Sequence, residues 1–321
     1  MTAEWVDIVL GRESAADTWK RLFEQAFHCA AAGVSPDRLH AELSIPDRLL
    51  ADSAWELWQQ YSTAAPRTSS ALKAWFAHTS ASGKAILILD ALSLRELAVL
   101  LEAAEARGIT PLEATVTGSE VPSDTDSFAA ALGLSTRSAL TNNRAPSTFA
   151  FTGDSLFTDV VSIPFVDAIN GVEYKRTVFI WHSFIDDLLH RLGNNPEQVY
   201  KQVAQELKSD GFWQYVDRLR QGRELIITGD HGYATSKSFV SEETDSDIVD
   251  ALRGTFGASR YKVKSSDWEH RFMPPLVVSE NGHHVVIGQR KWKVAGGFPS
   301  LTHGGLSLLE VAVPFIRLPE I

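Results

Sequence analysis

"KAILILDALSLRELAVLLEAAEARG", residues 84–108, joins an unbroken apolar run to a stretch with helical spacing. The run Ala85–Leu89 shows no alternation, as expected of a strand covered on both faces in a parallel sheet. Ser93 and Glu96 then stand three apart in "SLRE", a capping box that opens a helix, and Gly108 stops it. A buried strand followed by a capped helix is the repeating unit of an α/β fold.

Outward from this unit the pattern continues. "LEATVT" (112–117) is a second strand, and "TDSFAAALG" (125–133) a short helix closed by Gly133. "TVFIWHSFI" (177–185) reads as a further strand, followed by "DDLLHRLG". Asn195 caps and Pro196 begins a helix in "NPEQVYKQVAQEL". "ELIIT" (224–228) is the next buried strand, "LVVSENGHHVVIG" (276–288) a hairpin around Asn281-Gly282, and "VAVPFIRL" (311–318) a last strand. The alternation predicts an open, mainly parallel sheet with helices on both faces. Residues 12 to about 80 read as helical, with Trp19, Leu22, Phe23, Ala26 and Phe27 along one face. The chain is therefore divided into an N-terminal helical segment, 1–82, and an α/β domain, 83–321, with the tryptophans of the first part assigned to core.

The composition, 44% hydrophobic and 22% charged over 321 residues, is that of an ordinary soluble protein. A net charge of −10 argues against a broad basic surface for duplex DNA. The single cysteine, Cys29, excludes an internal disulfide, and the acidic N-terminus does not read as a signal peptide. No stretch has the length of a membrane span, so the expectation is a cytoplasmic protein.

Three aspartates follow three of the strands: Asp90, Asp186 and Asp230. In open α/β sheets ligands bind beyond the carboxyl ends of the strands, so the three are candidates for one cluster that cations would have to bridge. Asp also caps helices well, and three separate caps is the rival reading. Histidines favour the cluster. His190 lies four residues after Asp186 and three after Asp187, His231 follows Asp230, and His303 sits before two glycines in "LTHGGLSLLE". Carboxylate with imidazole suits zinc, with manganese as the alternative. His182 alternates within its strand and is expected buried and hydrogen-bonded; His283 and His284 are expected on the hairpin surface. Thr125 stands where a loop enters a helix, near backbone N–H groups suited to a phosphoryl oxygen, with Ser123 and Asp124 as ordinary cap candidates beside it. Asn142, Asn143, Arg144 and Arg95 are candidate phosphate contacts.

"LILDALS", "VPSDT", "IDDLLH", "TGDHG" and "LTHGGLSLLEVAVPF" occur in the order found in PglZ domains of the alkaline phosphatase superfamily, which residues 84–318 resemble. The resemblance implies two divalent metal ions, zinc or manganese. Asp90, Thr125, Asp230 and His231 would surround one, and Asp186, His190 and His303 would hold the other. It further implies that Thr125, rather than Ser123, is the nucleophile, and that Asp186, rather than Asp187, is the ligand. Ions about 4 Å apart would clamp the attacking and leaving oxygens of an in-line displacement, through a phosphothreonine that water then hydrolyses. The expected activity is cleavage of phosphodiester bonds in nucleotides or nucleic acid, in phage defence of the BREX or phage-growth-limitation type or in signalling, with other defence-system proteins as partners. A phosphomonoesterase or another hydrolase on the same frame is the nearest alternative. A formylglycine-type sulfatase would need a Cys or Ser nucleophile in its own signature, and Cys29 is in the wrong region. A non-catalytic metal-binding module of a defence complex is the alternative from another class; it would be marked by a missing ligand or nucleophile, and every expected position is filled.

Overall fold

In the computed structural model of the protein, residues 2–152, 155–193, 195–265, 268, 273–299 and 301–321 are described. Strands β1 (Gly83–Leu89), β2 (Glu113–Gly118), β3 (Leu156–Val161), β4 (Thr177–His182) and β5 (Arg223–Thr228) join the C-terminal strand Ala312–Leu318 in one sheet. The order is β2, C-terminal strand, β5, β1, β4, β3, and the C-terminal strand alone runs against the others. The expected mainly parallel α/β sheet is therefore present. Along β1, Ala85, Leu87 and Leu89 enter one core while Ile86 and Ile88 enter the core on the opposite face. Burial on both faces is what the uninterrupted apolar run encodes.

The register brings the strand ends level. Leu89 pairs with His182 of β4 and Ile88 with Thr228 of β5, so the residues just beyond β1, β4 and β5 emerge side by side. β2 ends on the same side, three positions along the sheet from β1. Residues 119–124 must recross that distance, about 15 Å at strand spacing, which six extended residues can span. They deliver Thr125 over β5 and β1.

The helical segment comprises Thr2–Val9, Ala15–Ala31, Pro36–Asp52, the single turns Glu56–Gln59 and Tyr61–Ala64, and Thr68–Ala77. Ser14 and Ser35 cap the second and third helices by accepting from Asp17 N and Arg38 N. Trp5, Trp19 and Trp58 are fully buried in the same core as β1, as the assignment of these rings to core anticipated. Among the described residues, no helix is long and apolar enough to cross a membrane.

Two expectations need correction. The strand expected over 177–185 ends at His182, and a helix, Phe184–Leu192, begins at once. Ser183 starts it: its carbonyl accepts from Asp187 N and its hydroxyl donates to the Asp187 carboxylate. The Ile185, Leu188, Leu189 spacing then buries one helical face, so Asp186 lies in a first helical turn and not directly after a strand. His284, expected at the surface, is buried and bonded through Nδ1 to Ser279 Oγ at 2.7 Å, because it faces inward in the sheet of Tyr261–Val263, Val277–Glu280 and His283–Val286. His182 is buried as expected. Its Nδ1 accepts from Phe184 N, its Nε2 lies 3.1 Å from the Ile163 carbonyl, and its ring stacks on Phe165.

One buried carboxyl joins the helical segment to the far end of the chain. Asp47 accepts from Leu308 N and from Gln289 Nε2, each at 2.8 Å. Burial pushes its carboxyl up from 3.8 to about 7, with Glu310 adding to the effect. The native state therefore holds this proton more tightly than the unfolded chain, so this group's contribution to stability falls as pH rises from about 4 through 7. Asp47→Asn keeps an oxygen for Leu308 N–H without the charge. Urea denaturation should show the variant more stable than the parent at pH 8, with the advantage shrinking toward zero near pH 4. An unchanged difference between the two pH values would contradict this assignment.

Candidate active site

Asp90, Asp230 and His231 stand together, fully buried, with one ligand atom from each within 4.8 Å of the others. Asp90 follows β1. Asp230 follows β5 after Gly229, and its Oδ1 is fixed by Ala91 N–H at 2.9 Å. Thr125 Oγ1 completes the group, at 2.9 Å from Asp230 Oδ2 and 3.3 Å from both Asp90 Oδ1 and His231 Nε2. His231 Nδ1 lies 2.9 Å from the Gly232 carbonyl, which makes Nδ1 the N–H and turns Nε2 toward the carboxylates. Adjacent Asp and His converge here because the chain has left the strand and both side chains can turn to one point.

The His303 ring stacks on that of His231, with centroids 4.6 Å apart. Burial and then the neighbouring His231 hold its imidazole down at about 4, so the ring is neutral at neutral pH. Its Nδ1 is buried with no hydrogen-bond partner. Burial works to lower His231 as well, but Asp230 and Asp90 outweigh it and raise the net proton affinity. Burial, followed by the Asp230 charge, pushes Asp90 upward. Two crowded carboxylates, the imidazole of His231 beside them and the stacked His303 ring, whose buried Nδ1 has no partner, fit a divalent cation.

The second expected set is looser. Asp186 Oδ1 lies 3.4 Å from His190 Nε2, four residues along the helix, and the His190 side chain is exposed. Asp186 joins the first group through Arg137, whose guanidinium contacts Asp90 and lies 3.5 Å from Asp186 Oδ2. Trp181 Nε1 also donates to Asp90 Oδ2, at 3.0 Å. Sequence reading did not single out Arg137 or Trp181: one opens the short 3-10 helix Arg137–Leu140 in a polar stretch without periodicity, and the other is an inward residue of an apolar strand.

The rival residues are engaged elsewhere. Ser123 is fully buried, donates to the Gly305 carbonyl at 2.8 Å and accepts from Gly304 N at 3.0 Å. Asp124 caps the helix Thr125–Ala131 by accepting from Ser127 N, so that N–H is already used. Asp187 is exposed and takes the Ser183 hydroxyl. Of the candidate phosphate contacts, Arg95 is buried against the Tyr233 carbonyl and ring. Asn142 and Asn143 adopt left-handed backbone and bond to Asp159 and Thr158. Arg144 is exposed.

The loop carrying His303 needs its two glycines. Gly304 has φ +94° and a Cβ there would lie 2.3 Å from the Tyr261 ring. A Cβ on Gly305 would meet Arg260 Nε at 2.6 Å and the Glu310 carboxylate at 2.7 Å.

No curated protein matches the chain. Among solved structures, phosphonoacetate hydrolase from Sinorhizobium meliloti 1021 in complex with phosphonoformate is 12% identical, with a TM-score of 0.42, over 75% of this chain and 90% of that one. Its complex with phosphonoacetate gives 13% and 0.41 over the same shares. An inactive form of murine ectonucleotide pyrophosphatase/phosphodiesterase 5 in complex with AMP is 12% identical, with a TM-score of 0.41, over 74% of this chain and 87% of that one. The family model that matches is that of the BREX system PglZ alkaline phosphatase-like domain, over residues 164–318. Asp186, His190, Asp230, His231 and His303 fall within that stretch, while Asp90 and Thr125 precede it and are brought to it by β1 and the loop after β2. Over residues 164–318 the chain is thus similar to the PglZ alkaline phosphatase-like domain of BREX systems.

Proposed function

We propose that the protein is a metal-dependent phosphodiesterase, acting on phosphodiester bonds of nucleotides or nucleic acid, with Thr125 as nucleophile. The observation that carries this reading is the position of Thr125 Oγ1, within 3.3 Å of Asp90, Asp230 and His231 at once. Asp90, Asp230 and His231 would hold one divalent ion, zinc or manganese, and Asp186, His190 and His303 a second. Bound there, such ions supply the positive charge that lowers the proton affinity of a hydroxyl and neutralises phosphoryl oxygens. Asp230 Oδ2, at 2.9 Å, orients the Thr125 hydroxyl and is an acceptor for its proton. Attack by Oγ1 on phosphorus forms the phosphothreonine bond and breaks the bond to the leaving group, which takes a proton from solvent to leave as the alcohol while Asp230 gives the Thr125 proton back to solvent. Water then attacks the same phosphorus and returns the Thr125 hydroxyl. Arg137 is the cationic side chain we assign to the non-bridging oxygens, in place of Arg95, Asn142 and Asn143. Service within a defence complex is part of the reading, supported by the BREX-type family match.

Protein purified without chelator is analysed for metal, and its hydrolysis of bis-p-nitrophenyl phosphate is compared with that of p-nitrophenyl phosphate. The expected result is about two zinc or manganese ions per chain and preference for the diester. Preference for the monoester replaces the substrate class. Neither metal nor hydrolysis, after reconstitution with zinc and manganese, overturns the reading. Asp186→Ala is expected to lose about one ion per chain while Asp187→Ala keeps both; the opposite pattern would exchange their roles.

A further inference from the structure

We propose that the N-terminal helical segment is a positioning part of this site, acting through Asp47 on the loop that carries His303. The inference rests on the metal-site reading above. His303 is followed by backbone that is pinned at successive N–H groups. Gly304 N donates to Ser123 Oγ at 3.0 Å, Gly305 N to Glu310 Oε1 at 3.1 Å, and Leu306 N to the Val286 carbonyl at 2.9 Å. Leu308 N, at the start of the single turn Leu308–Val311, donates to Asp47 Oδ1. Of these four partners, Asp47 alone comes from the helical segment; it projects from the helix Pro36–Asp52 and is fully buried.

The same carboxyl takes the Gln289 amide, and Arg260 holds the backbone on either side of Gln289 by donating to the Gly288 and Arg290 carbonyls. Gly288 N in turn donates to the Leu306 carbonyl at 2.7 Å. Asp47 therefore ties the backbone around Gln289 to the backbone that leads out of the His303 loop at Leu308. Its removal would leave a buried N–H and a buried amide without partners, and the loop would settle elsewhere to satisfy them. Metal ligands tolerate displacements of only about 0.5 Å before affinity suffers. A second grip lies at the other catalytic loop. Tyr61 OH donates to the Ser119 carbonyl at 3.0 Å, and Arg67 and Ser69 both bond the buried Glu120. The helical segment thus holds the loop leading to Thr125 as well as the loop leading out of His303.

The test is titration of chelator-stripped full-length protein with cobalt(II), reading affinity by competition with a chromophoric chelator and ligand geometry by visible absorption. Asp47→Ala is expected to weaken one of two cobalt(II) ions by about 10–100-fold and to change its absorption, with the other ion within about twofold of the parent. Asp47→Asn, which keeps an oxygen for Leu308 N–H, should restore both. Leu43→Ala, a fully buried apolar position in the same helix, is the control: Tm falls and both affinities stay. Asp47→Ser, which leaves a smaller polar group in place, is the milder variant and should shift the same ion in the same direction. Unchanged cobalt(II) binding in Asp47→Ala or Asp47→Ser overturns the proposal, as does equal weakening by Leu43→Ala. A parent protein that takes up no cobalt(II) overturns the metal reading and this proposal with it.

Discussion

Thr125→Ala is expected to reduce kcat/KM for bis-p-nitrophenyl phosphate by at least about a thousandfold, close to 4 kcal/mol of transition-state stabilisation. The hydroxyl forms and breaks a bond in the proposed reaction, so nothing nearby replaces it by small adjustment. Ser123, the nearest other hydroxyl in the loop, is fully buried and committed to Gly304 and Gly305. The fold has little reason to change. Asp124, not Thr125, caps the following helix, and Asp230 remains fixed by Ala91 N–H. Metal content should accordingly stay near that of the parent, which separates loss of the nucleophile from loss of the site. Thr125→Ser should recover a substantial part of the rate. Hydrolysis by Thr125→Ala within tenfold of the parent would remove the covalent route and leave direct attack by water as the mechanism.

The features legible in the sequence were those encoded by neighbouring residues. The apolar runs at Ala85–Leu89 and Leu225–Thr228 are strands buried on both faces, and the Ser93–Glu96 box is present with both of its bonds. The adjacency of Asp230 and His231 pointed to a strand end, and the register of β1 with β5 puts their loop beside Asp90. What stayed hidden depends on contacts between distant residues. Arg137 reaches Asp90 across 47 positions and Trp181 reaches it across 91, and neither pairing leaves a periodic trace. The Asp47–Leu308 bond spans 261 positions, from a helix whose Pro46 interrupts its spacing. The strand boundary at His182 was missed for a different reason. Phe184 and Ile185 extend the apolar run of β4, yet they already belong to a helix whose start is set by the Ser183–Asp187 bonds. An apolar run gives the burial of its residues but not the point at which the backbone turns. The edge strand β3, with Asp159 and a half-exposed face, carries too weak an alternation to stand out.

Glu310→Ala is expected to cost about 3–5 kcal/mol of folding stability, the range for breaking a buried ion pair by removing one partner. Glu310 and Arg260 are both buried, with Nε–Oε1 at 3.2 Å and Nη2–Oε2 at 3.3 Å. The carboxylate also accepts from Gly305 N at 3.1 Å and from Ser307 Oγ at 2.6 Å. Alanine would therefore strand a guanidinium without its counter-charge and a backbone N–H without an acceptor, in a place water does not reach. The exposed i,i+4 pair Lys20–Glu24 is the contrast: its loss should cost no more than about 0.5 kcal/mol. Guanidinium denaturation reads the difference as a lower midpoint at unchanged slope. Removing the charge on both sides, in Arg260→Met with Glu310→Leu, should be less damaging than Glu310→Ala alone, because the penalty comes from the uncompensated cation more than from the lost attraction. A Glu310→Ala midpoint equivalent to less than about 1 kcal/mol would mean that Arg260 is satisfied by the Gly288 and Arg290 carbonyls without its carboxylate. The two outcomes bear on the site differently. If the pair carries the stability, the loop holding His303 is anchored by charge, and its geometry should loosen whenever either partner is removed. If the carbonyls suffice, the anchor is the backbone of residues 288–290, and the His303 loop depends on the Glu310 carboxylate through the Gly305 N–H and the Ser307 hydroxyl.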